Sequence, residues 1–300
     1  MIHLTAGCKV NLGLHVVGMR ADGYHELDSL FCPLPTPCDH LEIRETGGQG
    51  IVLRCDEPGV TPERNTLTKA YDAFVREAGG APGIAVQLRK GIPLGSGLGG
   101  GSSDAAALLL WLNERAGLPL DAAGLVRAAL AVGADAPFFL YNQPCRVQGI
   151  GEILTPTDYD FSGLLLVLVC PEIHVDTAWA FARYDALFLH ADRMATQNSL
   201  TKSPCEANKI FPSGTGNATW SVRDIRNDLE AAVFPQYPQL AAIKAELLRF
   251  GADTACMSGS GSSVLGLFSR VAAAKAEDTA AALRAKKWSV YLLPLGNTGM

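Results

Sequence analysis

A glycine-rich segment is the part of the sequence best suited to bind phosphate. Five glycines fall within the seven positions 95–101, directly before an apolar stretch with helical character. Glycine accepts backbone angles that other residues resist, so successive N–H groups can turn inward around an anion. A helix that follows at once adds unpaired N–H groups and partial positive charge. The candidate phosphate-binding residues are Pro93, Leu94, Gly95, Ser96, Gly97, Leu98, Gly99, Gly100, Gly101, Ser102 and Ser103.

The residues around these glycines distinguish the segment from commoner glycine motifs. Ser102 and Ser103 are good helix N-caps, and their hydroxyls can donate to a phosphate or to a water bound to Mg²⁺. The segment is not a P-loop, because no lysine follows the glycines. A dinucleotide fold would need an acidic residue at the end of a second strand, whereas another helix is predicted there. The alternative without a function is a flexible surface turn, but such a turn does not need so many glycines before an apolar helix.

Three polar side chains have types suited to catalysis, although their positions alone do not establish it. Asp135 follows a helix predicted to end at Gly133, where an aspartate that bonds its own turn is the ordinary interpretation. Lys9 and Asn11 alternate with apolar residues along a predicted strand, so both project from one face. A lysine in that position is ordinarily a solvated edge-strand residue. On spacing alone, both interpretations remain open.

The composition indicates an ordinary globular protein and excludes some functions. The 300 residues are 48% hydrophobic and 18% charged, which allows one large domain or two ordinary ones. A net charge of −5 without a dominant basic block argues against a nucleic-acid partner. The longest apolar run, 164–170, is too short to span a bilayer, and no signal-peptide pattern is present. Eight scattered cysteines without a C-x-x-C pair are typical of reduced thiols in a cytoplasmic protein.

Helical and strand-like segments are interspersed along the chain and predict a mixed α and β fold. Strands are predicted at 8–17, 24–34, 39–44, 50–55, 84–90, 164–170, 264–268 and 289–293. Helices are predicted at 65–78, 103–116, 122–132, 174–187, 228–234 and 238–250, with an alanine-rich helix before the last strand. Residues 136–154 are predicted to form short strands and turns. Residues 190–221, polar and interrupted by Pro and Gly, are predicted to form a long loop or lid.

The motifs together resemble those of the GHMP kinase superfamily of small-molecule kinases. The glycine segment is similar to the second motif of that superfamily, and Ser258-Gly259-Ser260-Gly261-Ser262-Ser263 is similar to the third. Lys9-Val10-Asn11-Leu12 and residues 20–27 resemble an N-terminal signature. Residues 133–139 resemble the segment that carries the catalytic aspartate. Residues 149–152 and 226–230 also agree, so the resemblance extends over nearly the whole chain.

The resemblance implies an α+β fold of two domains with the active site in the inter-domain cleft. Residues 1–157 are expected to form the ATP-binding domain and residues 158–300 the C-terminal domain. The implied reaction is ATP-dependent phosphorylation of a hydroxyl on a cytidylated sugar-alcohol phosphate, with Mg²⁺ shielding the phosphates and no metal site built from the protein alone. The expected enzyme is a cytoplasmic monomer or weak homodimer that uses neither nucleic acid nor membrane.

The resemblance also implies a role for each matched catalytic residue. Asp135 is expected to be the base that accepts the proton of the attacking hydroxyl. Lys9 is expected to keep that carboxylate ionised and to help position the hydroxyl. Asn11 is expected to hydrogen-bond the same group. Lys90 and Asn65 are expected near the nucleoside of ATP.

The cytidine end of the acceptor is expected to lie against aromatic side chains. Tyr24 and His25, which otherwise are simply hairpin residues, would stack on the pyrimidine and read its edge. Phe181 is expected to form the second aromatic wall, with Trp179 as the alternative.

Two other functions remain open on the sequence. One is another kinase of the superfamily, acting on homoserine or mevalonate, whose acceptors lack a base to stack. The other is a non-catalytic nucleotide-binding or sugar-sensing module. Two segments also have purely structural interpretations. Residues 227–230 can form a helix capping box, and residues 258–263 can form a tight turn rather than a phosphate contact.

Overall fold

The structure is a computed structural model that describes residues 1–58, 61, 65–195, 222 and 225–295, without the side chains of 188–195. Ten strands in this part of the chain form two sheets. The first sheet contains β1 (Ile2–Met19), β2 (His25–Glu45), β3 (Ile51–Cys55), β4 (Ile84–Arg89), β5 (Cys145–Gly149) and β6 (Ile153–Pro156). The second contains β7 (Leu164–Cys170), β8 (Thr254–Met257), β9 (Val264–Ser269) and β10 (Ser289–Leu295). Residues 196–221 of the predicted loop or lid lie outside the described residues.

Eight α-helices accompany the sheets in the described ranges. They are α1 (Thr66–Ala78), α2 (Gly100–Arg115), α3 (Ala122–Leu130), α4 (Ala136–Tyr141), α5 (Thr177–Ala195), α6 (Glu230–Val233), α7 (Pro238–Arg249) and α8 (Ala273–Ala285). The mixed α and β prediction is confirmed. The expectation that a loop begins at residue 190 is wrong, because α5 continues to Ala195.

The long strand β2 organises the first sheet. It pairs antiparallel with β1 along most of its length, with β4 through residues 40–45 and with β5 through residues 27–31. The sequence predicted two strands here, at 24–34 and 39–44, and Pro35 and Pro37 lie between them. One continuous strand forms because its register against β1 shifts between Ala6 and Cys8, and this bulge accommodates the prolines.

Two local predictions near the glycine segment need correction. Helix α2 begins at Gly100 and its N-cap is Gly99, which has a left-handed φ of 73°. Ser102 and Ser103 therefore lie inside the first turn rather than at the cap. Residues 136–141 form helix α4 instead of a strand or turn, because Pro137 occupies its first turn, where a missing N–H costs nothing.

The two halves of the chain share part of their core. Val10 and Leu12 of β1 pack in one buried cluster with Leu166 and Leu168 of β7 and with Cys256 of β8. Separate clusters lie under α1 and α2 in the first half and under α7 and α8 in the second. Val10 and Leu12 thereby fix the first strand against the second sheet, and the alternating Lys9 and Asn11 project from its other face. No helix in the described ranges combines the length and apolar character needed to cross a bilayer.

Candidate active site

The glycine segment adopts left-handed backbone angles, which favour glycine, at three positions. Gly95, Gly97 and Gly99 have φ values of 62°, 75° and 73°. A Cβ on Gly97 would lie 2.2 Å from the carbonyl oxygen of Ser258, and one on Gly95 would lie 2.0 Å from Nδ1 of His174. Both backbone angle and space therefore require glycine, and a plain surface turn would require neither.

Hydrogen bonds attach this segment to both halves of the protein. The backbone N–H of Lys9 on β1 donates to the carbonyl of Leu98 at 2.9 Å. On the other side, the Ser258 hydroxyl donates to the carbonyl of Gly97 at 3.2 Å, and the Ser263 N–H donates to the carbonyl of Ser96 at 3.0 Å. Residues 258–263 thus pack directly on the glycine segment, so they are more than a tight turn before β9.

A cavity of about 490 Å³ opens beside the glycine segment. Residues 93–102 line one side of it, and residues 259–261 line another. Lys9 and Asn11 of β1, with Asp135, contribute its polar side chains near the segment. The structure therefore brings together residues that the sequence placed in four separate motifs.

Lys9 is a buried, fixed cation. Its side chain is 4% exposed, and its Nζ donates to Oδ1 of Asn11 at 2.5 Å and lies 3.5 Å from Oδ2 of Asp135. The same ammonium lies 4.3 Å from the centre of the Phe31 ring, a cation–π contact. The alternative interpretation, a solvated edge-strand lysine, is wrong, because the Lys9 side chain is buried.

Asn11 is held in turn by its own partners. Its Nδ2 donates to the Ser29 hydroxyl at 3.0 Å, which donates to the carbonyl of Gly13 at 2.6 Å. This chain fixes the amide so that its oxygen faces Lys9. Asn11 therefore orients Lys9. Strand alternation had indicated only that the two side chains share a face, not that they are in contact.

The residues expected at the cytidine end form an aromatic cluster. The rings of His25 and Phe181 stack with centroids 4.9 Å apart, and Tyr184 meets His25 edge-on at 6.3 Å. Tyr24 lies in the turn before β2 and is 60% exposed. Trp179 instead packs edge-on against Tyr237 at 5.6 Å, which favours Phe181 over Trp179 as the aromatic residue of this site.

An acidic partner of His25 was missed by the sequence analysis. Oδ1 of Asp185 lies 2.6 Å from Nε2 of His25, and the two side chains are 27% and 10% exposed. Asp185 comes from helix α5, far from His25 in the chain. Its spacing of four residues after Phe181 places both on one face of α5, and that was the available signal.

Two residues predicted near the ATP nucleoside have structural partners. Asn65 caps α1, accepting a hydrogen bond from the Leu67 N–H at 2.8 Å. The Lys90 ammonium contacts Oδ2 of Asp39 and lies 3.0 Å from Oδ2 of Asp104. Contact of either residue with a nucleoside stays a prediction.

The two carboxylates around Lys90 were also missed. Burial raises the pKa of Asp104 to about 7, with Lys90 opposing the rise and Asp39 adding to it. Although burial lowers the pKa of Lys90, the attraction of Asp104 and Asp39 leaves it above its ordinary value. Lys90 is therefore a stable cation, and Asp104 is the member of the cluster that most readily binds a proton.

The interpretation of residues 227–230 as a capping box is wrong. The Asn227 amide donates to the carbonyls of Met257 and Gly259, both at 2.7 Å. Glu230 accepts from the Met257 N–H at 2.8 Å and pairs with Lys244 at 2.5 Å rather than reaching back to Asn227. These contacts hold the backbone of Met257 and Gly259, where the 258–263 turn begins. Local sequence spacing could not reveal them because the partners are about 30 residues apart.

Two family models match this chain. The model for the "GHMP kinases N terminal domain" matches residues 65–143, and the model for "GHMP kinases C terminal" matches residues 216–285. A 4-diphosphocytidyl-2-C-methyl-D-erythritol kinase of Nitratidesulfovibrio vulgaris (strain DP4) is 44% identical, over 90% of this chain and 91% of its own length. One of Lawsonia intracellularis is 41% identical over 88% of both chains.

The chain belongs to the 4-diphosphocytidyl-2-C-methyl-D-erythritol kinase family of GHMP kinases.

Solved structures agree with this membership. A crystal structure of 4-(cytidine 5'-diphospho)-2C-methyl-D-erythritol kinase matches with a TM-score of 0.74 at 30% identity, over 99% of this chain and 100% of the other. A homoserine kinase from Cytophaga hutchinsonii matches with a TM-score of 0.69 at 19% identity, over 99% and 96% of the two chains, which shows the shared fold. The predicted GHMP kinase fold is confirmed. Membership in a kinase family implies that the chain uses ATP.

Proposed function

We propose that this protein transfers the γ-phosphate of ATP to a hydroxyl of 4-diphosphocytidyl-2-C-methyl-D-erythritol, giving the 2-phosphate, in the non-mevalonate route to isoprenoid precursors. The observation that carries the proposal is the Lys9–Asp135 pair, 3.5 Å apart in the cavity beside the glycine segment. Relatives at 36–44% identity over about nine tenths of the chain carry the name of this kinase.

The glycine segment is proposed to hold the triphosphate. The left-handed glycines allow its amides to face one anion, and the N-terminus of α2 adds partial positive charge at the same place. No group of three or more His, Cys, Asp or Glu side chains in the described ranges is arranged to hold a metal alone. Mg²⁺ is proposed to arrive on the phosphates, and the hydroxyl of Ser102, which lines the cavity, would be a protein ligand. When bound, Mg²⁺ would offset charge on the transferred phosphoryl group.

Asp135 is proposed to act as the base. Its side chain is 35% exposed, so an acceptor hydroxyl can reach its carboxylate. The hydroxyl oxygen forms a bond to the γ-phosphorus as the bond from that phosphorus to the β,γ-bridging oxygen breaks. The hydroxyl proton passes to Asp135, and ADP leaves. Lys9 directs the carboxylate toward the hydroxyl through a charge that Asn11 keeps in place.

The aromatic cluster is proposed to bind the cytosine. Phe181 lines the cavity and carries His25 on one face, while the exposed Tyr24 ring is free to stack on a base. Neither homoserine nor mevalonate has a group that would use these rings. This part of the cavity therefore favours a cytidylated acceptor.

The proposal extends to the arrangement and setting of the protein. We place the active site between domains 1–157 and 158–300, since residues of both line the cavity. The seven cysteines in the described ranges are free thiols, which supports a reducing, cytoplasmic setting. A monomer or weak homodimer is proposed, because the site is assembled from one chain.

A panel of acceptors tests the function directly. ADP release is measured in a coupled assay with 4-diphosphocytidyl-2-C-methyl-D-erythritol, homoserine and mevalonate at equal concentration. Turnover is expected with the cytidylated acceptor alone. Turnover with homoserine or mevalonate but not with the cytidylated acceptor would replace this function by another within the superfamily, and nucleotide binding without any turnover would favour a sensor.

A further inference from the structure

Three ionisable side chains lie buried together at the base of the glycine segment. Lys90, Asp39 and Asp104 are 7%, 0% and 2% exposed at their side chains. Lys90 lies three residues before Pro93, Asp104 directly follows Ser103, and Asp39 lies on β2 next to both. An ion pair between Lys90 and Asp104 therefore joins the two ends of the segment.

The third member attaches these ends to the sheet. Oδ1 of Asp39 accepts hydrogen bonds from the N–H groups of Gly91 and Ile92 at 2.7 and 2.8 Å, while its Oδ2 contacts Lys90. A Cβ on Gly100 would lie 3.2 Å from the same Oδ2, so the beginning of α2 rests directly on this carboxylate.

We propose that Asp39, Lys90 and Asp104 form a clasp that closes the glycine segment at its base and so positions its amides for the phosphates. Asp39 and Asp104 are then positioning residues, and the Lys90 ammonium contributes by pairing with both carboxylates. Burying two carboxylates and one ammonium is costly, and a hydrophobic core would serve stability as well. What such a cluster adds is geometry, because it fixes both ends of the glycine segment to strand β2.

One carboxylate oxygen of Asp104 has no hydrogen-bond donor among the described residues. Its Oδ1 is buried and accepts no hydrogen bond from the residues that the structure describes. The neighbouring charges are Lys90 after β4 and Asp39 on β2, and the Cys8 thiol on β1 faces Asp39. An amide in place of this carboxyl can still accept from Lys90, so Asp104→Asn is expected to preserve the clasp.

The experiment measures affinity for a non-hydrolysable ATP analogue with Mg²⁺ by titration calorimetry, together with KM for ATP and kcat. The clasp rests on the proposed function only in that ATP is taken as the ligand of the glycine segment. The binding measurement needs no acceptor. Asp104→Ala is expected to weaken analogue binding about tenfold or more and to raise KM for ATP, with a smaller effect on kcat. Asp104→Asn is expected to bind within about twofold of the unmodified protein.

Asp28→Ala is the matched control. Asp28 also lies buried on β2, and it makes two 2.8 Å hydrogen bonds to Arg146 on β5. Its loss is expected to lower Tm while leaving analogue affinity unchanged. If Asp104→Ala does not fold, Asp104→Leu removes the carboxyl without leaving a cavity and gives the same comparison. Unchanged affinity in the folded variant, equal loss in Asp28→Ala, or no recovery in Asp104→Asn would each overturn the clasp.

Discussion

Nζ of Lys9 lies 3.5 Å from Oδ2 of Asp135, yet the two side chains differ in exposure, 4% against 35%. The cation is immobilised by Asn11 and by the face of the Phe31 ring. The carboxylate is open to the cavity. A fixed charge thus orients an accessible base, an arrangement in which the proton acceptor can meet a substrate while its own position is constrained.

Replacement of Asp135 by Asn is expected to abolish the proposed phosphoryl transfer while nucleotide binding persists. The amide cannot accept the hydroxyl proton, and a general base contributes roughly 10²–10⁴-fold to a rate. kcat is measured in the coupled assay and ATP-analogue affinity by calorimetry. Asp121→Asn, which alters only the cap of α3, serves as the control. Normal turnover by Asp135→Asn would remove Asp135 from the role of base.

Substitution of Gly97 by Ala is expected to impair both folding of the segment and ATP binding. The new Cβ would lie 2.2 Å from the Ser258 carbonyl oxygen, and the φ of 75° alone costs about 1–2 kcal/mol. Gly79→Ala has a similar φ of 78° with nothing within 4 Å, so it carries the backbone cost alone. Tm and KM for ATP separate the two effects. Equal behaviour of both variants would show that the close packing on Ser258 does not matter.

Removal of the Tyr24 ring is expected to weaken binding of the cytidylated acceptor. One stacked base is worth about 1–3 kcal/mol, so KM should rise between about 5-fold and 150-fold in Tyr24→Ala. KM for ATP should stay constant, because Tyr24 is not among the residues that line the cavity beside the glycine segment. Tyr24→Phe, which keeps the ring, should behave as the unmodified protein. An unchanged acceptor KM in Tyr24→Ala would argue against stacking on this ring.

Loss of the Asp185 carboxylate is expected to affect the acceptor through His25. Asp185 fixes Nε2 of His25, so Asp185→Ala leaves the imidazole free to change tautomer and orientation. Acceptor KM should rise about tenfold with kcat little changed. Asp176→Ala removes a hydrogen bond to the Trp179 N–H at the start of the same helix and controls for loosening of α5. ¹⁵N NMR of the His25 ring should report a tautomer change in Asp185→Ala and none in the control.

Asp104 should make stability depend on pH. Its pKa is raised to about 7 in the folded protein, so between its ordinary value and about 7 the folded state binds more protons than the unfolded state. The free energy of unfolding should therefore fall as pH rises through this window. Asp104→Asn should lose that contribution to the slope. Thermal melts of both proteins across this range check it, and parallel curves would contradict the shift.

Local sequence determined the elements that carry the site. The glycines, the apolar helix behind them and the alternation of Lys9 and Asn11 each depend on neighbours within a few residues, and these features were predicted. The continuity of β2 and the helical state of 136–141 were not predicted, since the first depends on a register shift against β1 and the second on packing beneath α2.

Tertiary structure alone decided which charges meet. Asp39 and Asp104 have no local signature, and the spacing of Asp185 from Phe181 gives only a shared helix face, because each aspartate acquires its role from a partner on another element. Likewise, alternation placed Lys9 on a strand face, but only the packing of Asn11, Phe31 and Asp135 around its ammonium made it a buried cation. Backbone preference acts over a few residues and is written in the sequence, whereas desolvation and ion pairing depend on what folding brings within a few ångströms.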